Sequence, residues 1–208
     1  MKMSELSECS GVSVASIKFY QREELLPEAE RTSPNQARYD SNHVDRLRLI
    51  RALVDVGGLS VATVREVLAA AEADIPLDWA MGVAQHAIPG SVELPVESTR
   101  GVAEIDRVTE EMGWTVSADN PGRGMAARVI DSYVQLDHEE LLSVLPAYSA
   151  AAVMVARTDL ASIALQPSRL RVSETVVVGT VLGDSLFAGL RRMAQEDEAH
   201  RQYAPVQA

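Results

Sequence analysis

Apolar residues recur every three or four positions through most of this chain, which is the period of a helix rather than of a strand. The pattern is sharpest from Val12 to Pro27. Val14, Ile17 and Tyr20 fall on one face there, while Lys18 and Arg22 fall on another, with Ser16 near its edge. Ser13 stands where an N-cap belongs, its hydroxyl able to accept an unpaired backbone N–H. Before it, Ser4 to Ser10 reads as a short helix with Leu6 as its main apolar contact, and Gly11 separates the two. A helix, a Gly-containing turn and a second helix with a polar, basic outer face is the layout of a helix-turn-helix. The second helix would present Ala15, Ser16, Lys18 and Arg22 to a duplex, with Ser13 at its start as a further candidate and with the Tyr20 hydroxyl either on a phosphate or packed inward. Small residues at its start let such a helix sit deep in the major groove, and longer cations reach phosphates.

Leu25-Leu26-Pro27 is an apolar anchor followed by a helix stop, and Thr32, Ser33, Pro34 and Asn35 are turn residues. Asp40 or Ser41 then caps a helix from Asn42 to Val56, with Val44, Leu47, Ile50 and Leu53–Val54 as its apolar stripe. Arg46, Arg48 and Arg51 lie on its other faces. Gly57-Gly58 ends it, and Ser60 caps a further helix, Val61 to Ala73, with Val64, Val67 and Leu68 inward. These two helices are expected to brace the first two.

Beyond residue 73, Pro76, Pro89-Gly90 and Pro95 cut the pattern into short pieces, and no heptad run survives. The expected helices are Leu77 to Ile88, Glu97 to Met112 and Met125 to Leu136, with Ser117 to Gly124 as a loop. Asp137 reads as an N-cap completed by Glu140 in a capping box. It would start an apolar helix from His138 to Arg157, bent near Pro146 and continued or followed by Asp159 to Leu165. Pro167 to Arg171 reads as a link, and Ser173 to Tyr203 as a long closing helix. Val178, Leu182, Leu186 and Leu190 recur along it, and Gly179 and Gly183 would permit a close helix crossing, within the chain or between two copies.

The segment Ser16-Ile17-Lys18-Phe19-Tyr20-Gln21-Arg22-Glu23-Glu24-Leu25-Leu26-Pro27 resembles the Thr-Leu-Arg-Tyr-Tyr-Glu-x-x-Gly-Leu-Leu-x motif of MerR-type transcription regulators. The likeness continues through Tyr39, Leu47-Arg48-Leu49-Ile50, Gly57 and Val64-Arg65-Glu66-Val67-Leu68, over about the first third of the chain. It implies a winged helix-turn-helix in which Leu26 to Tyr39 form a two-stranded wing, with Arg31, Arg38 and Tyr39 beside phosphates. Two departures stand out. Where the family carries an arginine two residues before the tyrosine, this chain has Ala37, and Arg38 is one step along, which in a strand is the opposite face. Glu24 stands where a glycine is expected, so the left-handed cap after the second helix is not assured. The resemblance also implies a homodimer on palindromic promoter DNA, and distortion of an overlong spacer for RNA polymerase. The long helix through which the family pairs as an antiparallel coiled coil is not found directly after the first domain.

The expected fold is therefore mainly α: a winged helix-turn-helix with a small β wing in residues 1–73, then an all-α effector-binding or dimerisation domain in residues 74–208. Its general look resembles the helical effector domains of TetR-type regulators.

Composition modifies this picture only partly. With 208 residues, 47% apolar and only 4% aromatic, the core is mainly Ala, Val and Leu. A net charge of −11 at first argues against nucleic acid. Residues 1–73 hold nine cations against eleven anions, leaving −9 for the remainder, so the first region can still read DNA if its cations gather on one face. The single cysteine, Cys9, allows no intrachain disulfide and no multi-thiolate metal site, and is expected to pack rather than to sense redox state. No apolar signal core is expected, and no stretch is expected to approach the roughly 20 apolar residues that a membrane span needs. The expectation is a soluble cytoplasmic protein with no membrane partner.

Other candidates are weaker. Asp137-His138-Glu139-Glu140 could hold a cation, but the capping box explains it better. Pro121-Gly122-Arg123-Gly124 reads as a turn rather than a phosphate loop. His43, His86, His138 and His200 are too scattered for acid–base work, so no catalytic residue, metal or cofactor is expected. Trp79, Trp114, Tyr133 and Tyr148 are the candidates for lining a small organic effector's cavity. The competing reading is a ligand-sequestering protein whose winged domain is vestigial; it is separated from the first by whether DNA binding is salt-dependent.

Overall fold

The computed structural model describes residues 1–33, 36–73, 75–90, 99–166 and 169–203, and the side chains of all of these except 31–33, 36, 169 and 170. The chain is mainly α, with one two-stranded sheet among the described residues. It divides into two compact units: Met1–Leu68 together with Val178–Ala208, and Ala69–Val177.

In the first unit, α1 (Met3–Ser10) ends at Gly11, whose φ of 70° is the left-handed value that lets its N–H close onto Ser7 O. Ser13 caps α2 (Val14–Arg22) as expected, its Oγ accepting from Ser16 N at 3.1 Å. Strands β1 (Glu30–Ser33) and β2 (Gln36–Arg38) pair antiparallel, with Arg31 opposite Ala37 and an irregularity between Arg31 and Ser33. The turn at Pro34-Asn35 lies outside the described residues. Of the two candidate caps for α3 (Ser41–Asp55), Asp40 serves: its Oδ1 accepts from His43 N at 3.2 Å. Ser60 caps α4 (Val61–Glu72) through Thr63 N, also at 3.1 Å.

The core joins these elements. Leu6, Val12, Ile17, Tyr39, Val44 and Leu47 are buried together, with Tyr20, Leu26 and Ala37 packed against them. Val14, expected on the same inward face, is 37% exposed at the first position of α2.

Glu24 does adopt the left-handed conformation, at φ 58°, despite its side chain. Leu25 N–H thereby reaches Tyr20 O at 3.0 Å and closes the end of α2.

The second unit differs from expectation at its helix starts. Pro121 opens α7 (Pro121–Gln135) instead of sitting in a loop, because a proline has no N–H to waste at a first turn and Asn120 Oδ1 accepts from Gly122 N at 2.9 Å. No capping box forms at Asp137. That residue is left-handed at φ 56°, and Glu139–Val144 is a short 3-10 helix. Pro146 then sits in the first turn of α8 (Leu145–Ala164), so it begins that helix rather than bending it.

The preceding helices are α5 (Leu77–Ala87), with Pro76 at its N-cap, and α6 (Arg100–Glu111), capped by Thr99. The start expected at Glu97, and Pro95, lie outside the described residues. Helices α6 and α7 approach closely: a Cβ on Gly101 would clash with the Ala127 carbonyl, and Gly101 N–H donates to Asp131 Oδ1 at 2.7 Å.

The last helix, α9 (Arg169–Tyr203), begins inside the expected link; Pro167 and Ser168 lie outside the described residues. Its buried row is Ser173, Val176, Val177 and Val181, not the Val178-Leu182-Leu186-Leu190 series, of which Leu186 and Leu190 are exposed. A spacing of four overshoots a turn of 3.6 residues by about 40° per step, so that series walks off any one face. A Cβ at Gly179 or Gly183 would meet nothing within 4 Å, so among the described residues no close crossing forms there. The tight approach is instead at Gly57, where a Cβ would lie 2.6 Å from Val181 Cγ1.

By length and composition two helical stretches, Glu139–Ala164 and Arg171–Tyr203, do reach membrane-spanning size. Neither holds an unbroken apolar run of that length, because Arg157, Asp159, Glu174 and Asp184 interrupt them.

Candidate nucleic-acid interface

The side chains of α2 divide into those held by the fold and those left to solvent. Ile17 is fully buried and Tyr20 is half-buried against the core. Ser16 Oγ lies 2.9 Å from Ser13 Oγ, so both candidate hydroxyls belong to the cap. Gln21 Nε2 donates to the Tyr39 hydroxyl at 3.1 Å. Glu23 is engaged by Arg65. Ala15, Lys18, Phe19 and Arg22 remain exposed, at spacings that put them on one helix face. Among the described residues neither Lys18 nor Arg22 is ion-paired. The Arg22 guanidinium carbon stands 5.9 Å from the Phe19 ring centroid.

The cations of α3 and α4 serve a different purpose. Arg48 Nη2 donates to Cys9 O at 3.0 Å and Arg51 Nη1 to Gly11 O at 3.1 Å, both at the C-terminal end of α1. Arg46 Nε donates to Leu25 O at 2.9 Å, just after α2. Arg65 reaches Glu23 O through both Nε, at 3.1 Å, and Nη2, at 2.9 Å. Carbonyls at a helix C-terminus lack intrahelical partners and carry the negative end of the dipole, so four arginines satisfy them and fix the angle between the helices. Their bracing role was expected of the helices; that it runs through arginine-to-carbonyl bonds was not, because the partners lie from 21 to 42 residues away.

The wing places its residues by alternation. Tyr39 is 5% exposed and Ala37 packs inward, so Arg38 between them faces outward and is exposed. The side chain of Arg31 lies outside the described residues. Tyr39 also stacks edge-on against His43, with ring centroids 5.2 Å apart. His43 Nδ1 lies 2.6 Å from Asp40 Oδ1, and this hydrogen bond holds the Asp40 carboxyl below its usual range. His43 Nε2 is buried without a partner. Gln21, Tyr39, His43 and Asp40 thus tie α2, the wing and the start of α3 together.

In the second unit the four aromatic candidates differ in exposure. Trp79 is 66% and Tyr148 47% exposed, whereas Trp114 and Tyr133 are half-buried. Cys9, expected to pack, is exposed. His138 Nδ1 lies 2.9 Å from Glu140 Oε1. Among the described residues no three His, Cys, Asp or Glu side chains gather as metal ligands do.

These features define a winged helix-turn-helix domain, and a family model described as the MerR HTH family regulatory protein matches residues 1–71. Residues 1–71 are thus a MerR-family helix-turn-helix domain at the N-terminus of the chain. It is similar to the HTH-type transcriptional regulator HmrR of Sinorhizobium medicae (strain WSM419), 39% identical over 69 residues, which is 33% of this chain and 46% of that protein. It is also similar to the mercuric resistance operon regulatory protein of Bacillus cereus, 36% identical over 56 residues, 27% of this chain and 42% of that one. These matches span less than half of each relative's length. Over the whole chain it is similar to SCO5550 of Streptomyces coelicolor A3(2), a crystal structure assigned as a transcriptional regulator. There the TM-score is 0.69 and the identity 34%, covering 100% of both chains. The family and these relatives are regulators rather than enzymes.

Proposed function

We propose that this protein is a homodimeric, sequence-specific transcription regulator that binds double-stranded promoter DNA through α2 and is controlled by a small organic effector. The observation that carries the reading is the solvent-facing row Ala15, Lys18, Phe19 and Arg22 on the second helix of a MerR-family domain. In this reading residues 1–73 bind DNA and residues 74–208 sense the effector and set the dimer. Two copies of α2 would enter successive major grooves about 34 Å apart on a palindrome, and RNA polymerase would read the resulting distortion.

The end of α9 supports pairing of two copies. Leu186, Phe187, Leu190 and Met193 are from 44% to 68% exposed along one stretch of helix, and Gly179 and Gly183 leave room for a close approach. An effector would act by favouring one dimer spacing over another. One cysteine per chain points to an organic molecule rather than a thiolate-bound metal, with Trp114 and Tyr133 as the half-buried aromatics nearest that role. As a DNA regulator the protein would work in the cytoplasm, without a membrane. The vestigial-domain alternative is not favoured, since the N-terminal match is to regulatory proteins.

The test is a footprint of the full chain on DNA upstream of its own and neighbouring genes. Protection of a palindrome, by a species of twice the chain mass in light scattering, supports the proposal. Absence of protection on any such fragment overturns it.

A further inference from the structure

An exposed phenylalanine on an otherwise polar helix face needs a reason. Phe19 is 37% exposed on α2, while the next aromatic, Tyr20, turns inward to the core. A small polar residue would serve solubility better at that position. The ring instead supports a cation: Arg22, three residues on, holds its guanidinium carbon 5.9 Å from the ring centroid. Three residues rise about 4.5 Å along a helix, and base pairs are about 3.4 Å apart, so the two side chains can reach neighbouring pairs. The rest of this face is Ala15 and Lys18, so nothing bulky keeps the pair from a groove floor.

We infer that Phe19 and Arg22 act as one reading unit for a thymine beside a guanine in the major groove. The phenyl edge packs on the thymine 5-methyl group, and the guanidinium donates to O6 and N7 of the neighbouring guanine. Stacking on Phe19 restricts Arg22 before docking, so less side-chain freedom is lost on binding. Lys18 contributes charge toward the backbone phosphates without choosing a base. This rests on the DNA-binding reading above and adds to it the kind of base step that the operator half-site must contain.

The test begins with selection of a duplex from a random library by the full-length chain. Each thymine of the selected half-site is then replaced by uracil, which lacks only the methyl group. Each guanine is replaced by 7-deazaguanine, which lacks the N7 acceptor. Wild-type protein should lose roughly five- to tenfold in affinity at one thymine and at the adjacent guanine. Phe19→Ala should bind the thymine and uracil duplexes equally, and Arg22→Ala should be indifferent to the deaza substitution. A wild-type protein insensitive to every uracil, or a Phe19→Ala variant as sensitive as wild type, overturns the inference while leaving DNA binding intact. Failure to enrich any duplex overturns the DNA-binding reading itself. The uracil series on wild-type protein needs no variant to fold, and urea midpoints check those that are made.

Discussion

Arg65 on α4 takes Glu23, the residue that ends α2, by its backbone carbonyl at 2.9 Å and its carboxylate at 2.7 Å, both from the same Nη2. The end of the proposed reading helix is thereby fixed to the helix that braces it. Both side chains are partly exposed, so the ion pair itself contributes at most about 1 kcal/mol. Its greater effect is positional. Arg65→Ala should lower stability by about 1 kcal/mol and weaken duplex binding without changing its salt slope, since Arg65 is spent on Glu23 and neutralises no phosphate. Arg65→Lys should not rescue binding, because an ammonium lacks the planar fork that spans carbonyl and carboxylate. Urea denaturation and binding isotherms at several salt concentrations check both statements.

Glu24 carries a positive φ that a glycine would adopt at little cost. Glu24→Gly should therefore stabilise the protein by about 1 kcal/mol, read as a higher urea midpoint. A lower midpoint would show that the Glu24 side chain contributes more than its backbone costs.

Two helical glycines should respond to alanine with opposite signs. A Cβ at Gly101 meets the Ala127 carbonyl, so Gly101→Ala should cost more than about 2 kcal/mol by forcing α6 and α7 apart. A Cβ at Gly82 in α5 meets nothing within 4 Å, so Gly82→Ala should stabilise by about 0.5–1 kcal/mol through helix propensity alone. Thermal melts of the two variants decide the matter.

The Asp40 carboxyl is held below its usual range by the His43 hydrogen bond at the start of α3. A group whose folded-state value is depressed contributes stability above its unfolded value, and loses it as pH falls through the folded one. Wild-type stability should thus decline on acidification below about pH 4, and Asp40→Asn should show a flatter decline over the same window. Urea midpoints measured from neutral pH down to about pH 3 test this; parallel curves for the two proteins would contradict it.

Much of the first unit was legible because its signals are local. The three- and four-residue spacing of Ile17 and Tyr20, the Ser13 cap and the Gly11 break each act within one turn, and period two along Ala37-Arg38-Tyr39 set which side of the wing the arginine takes. What was not legible depends on distance or on competition between local rules. The arginine-to-carbonyl bonds join residues far apart in sequence. At Asn120-Pro121 and at Pro146, prolines that read as breakers act as helix starters; the Asn120 cap decides the first, while Pro146 sits in the first turn of α8 without a side-chain cap. The buried row of α9 is set by its neighbours, which select Val176, Val177 and Val181 from a helix apolar on several faces. The three-residue spacing that turned Tyr20 inward with Ile17 already left Phe19 to another face, where it is 37% exposed.

The most direct measurement of α2 as the reading helix is a titration of the selected duplex with wild-type protein and with Lys18→Ala/Arg22→Ala, followed by fluorescence anisotropy across a range of salt concentrations. Wild-type affinity should fall steeply with salt. The double variant should bind at least about tenfold more weakly, with a slope shallower by about one for each phosphate that is no longer neutralised. Equal affinity and equal slope for the two proteins would contradict the assignment of α2 as the helix that reads DNA.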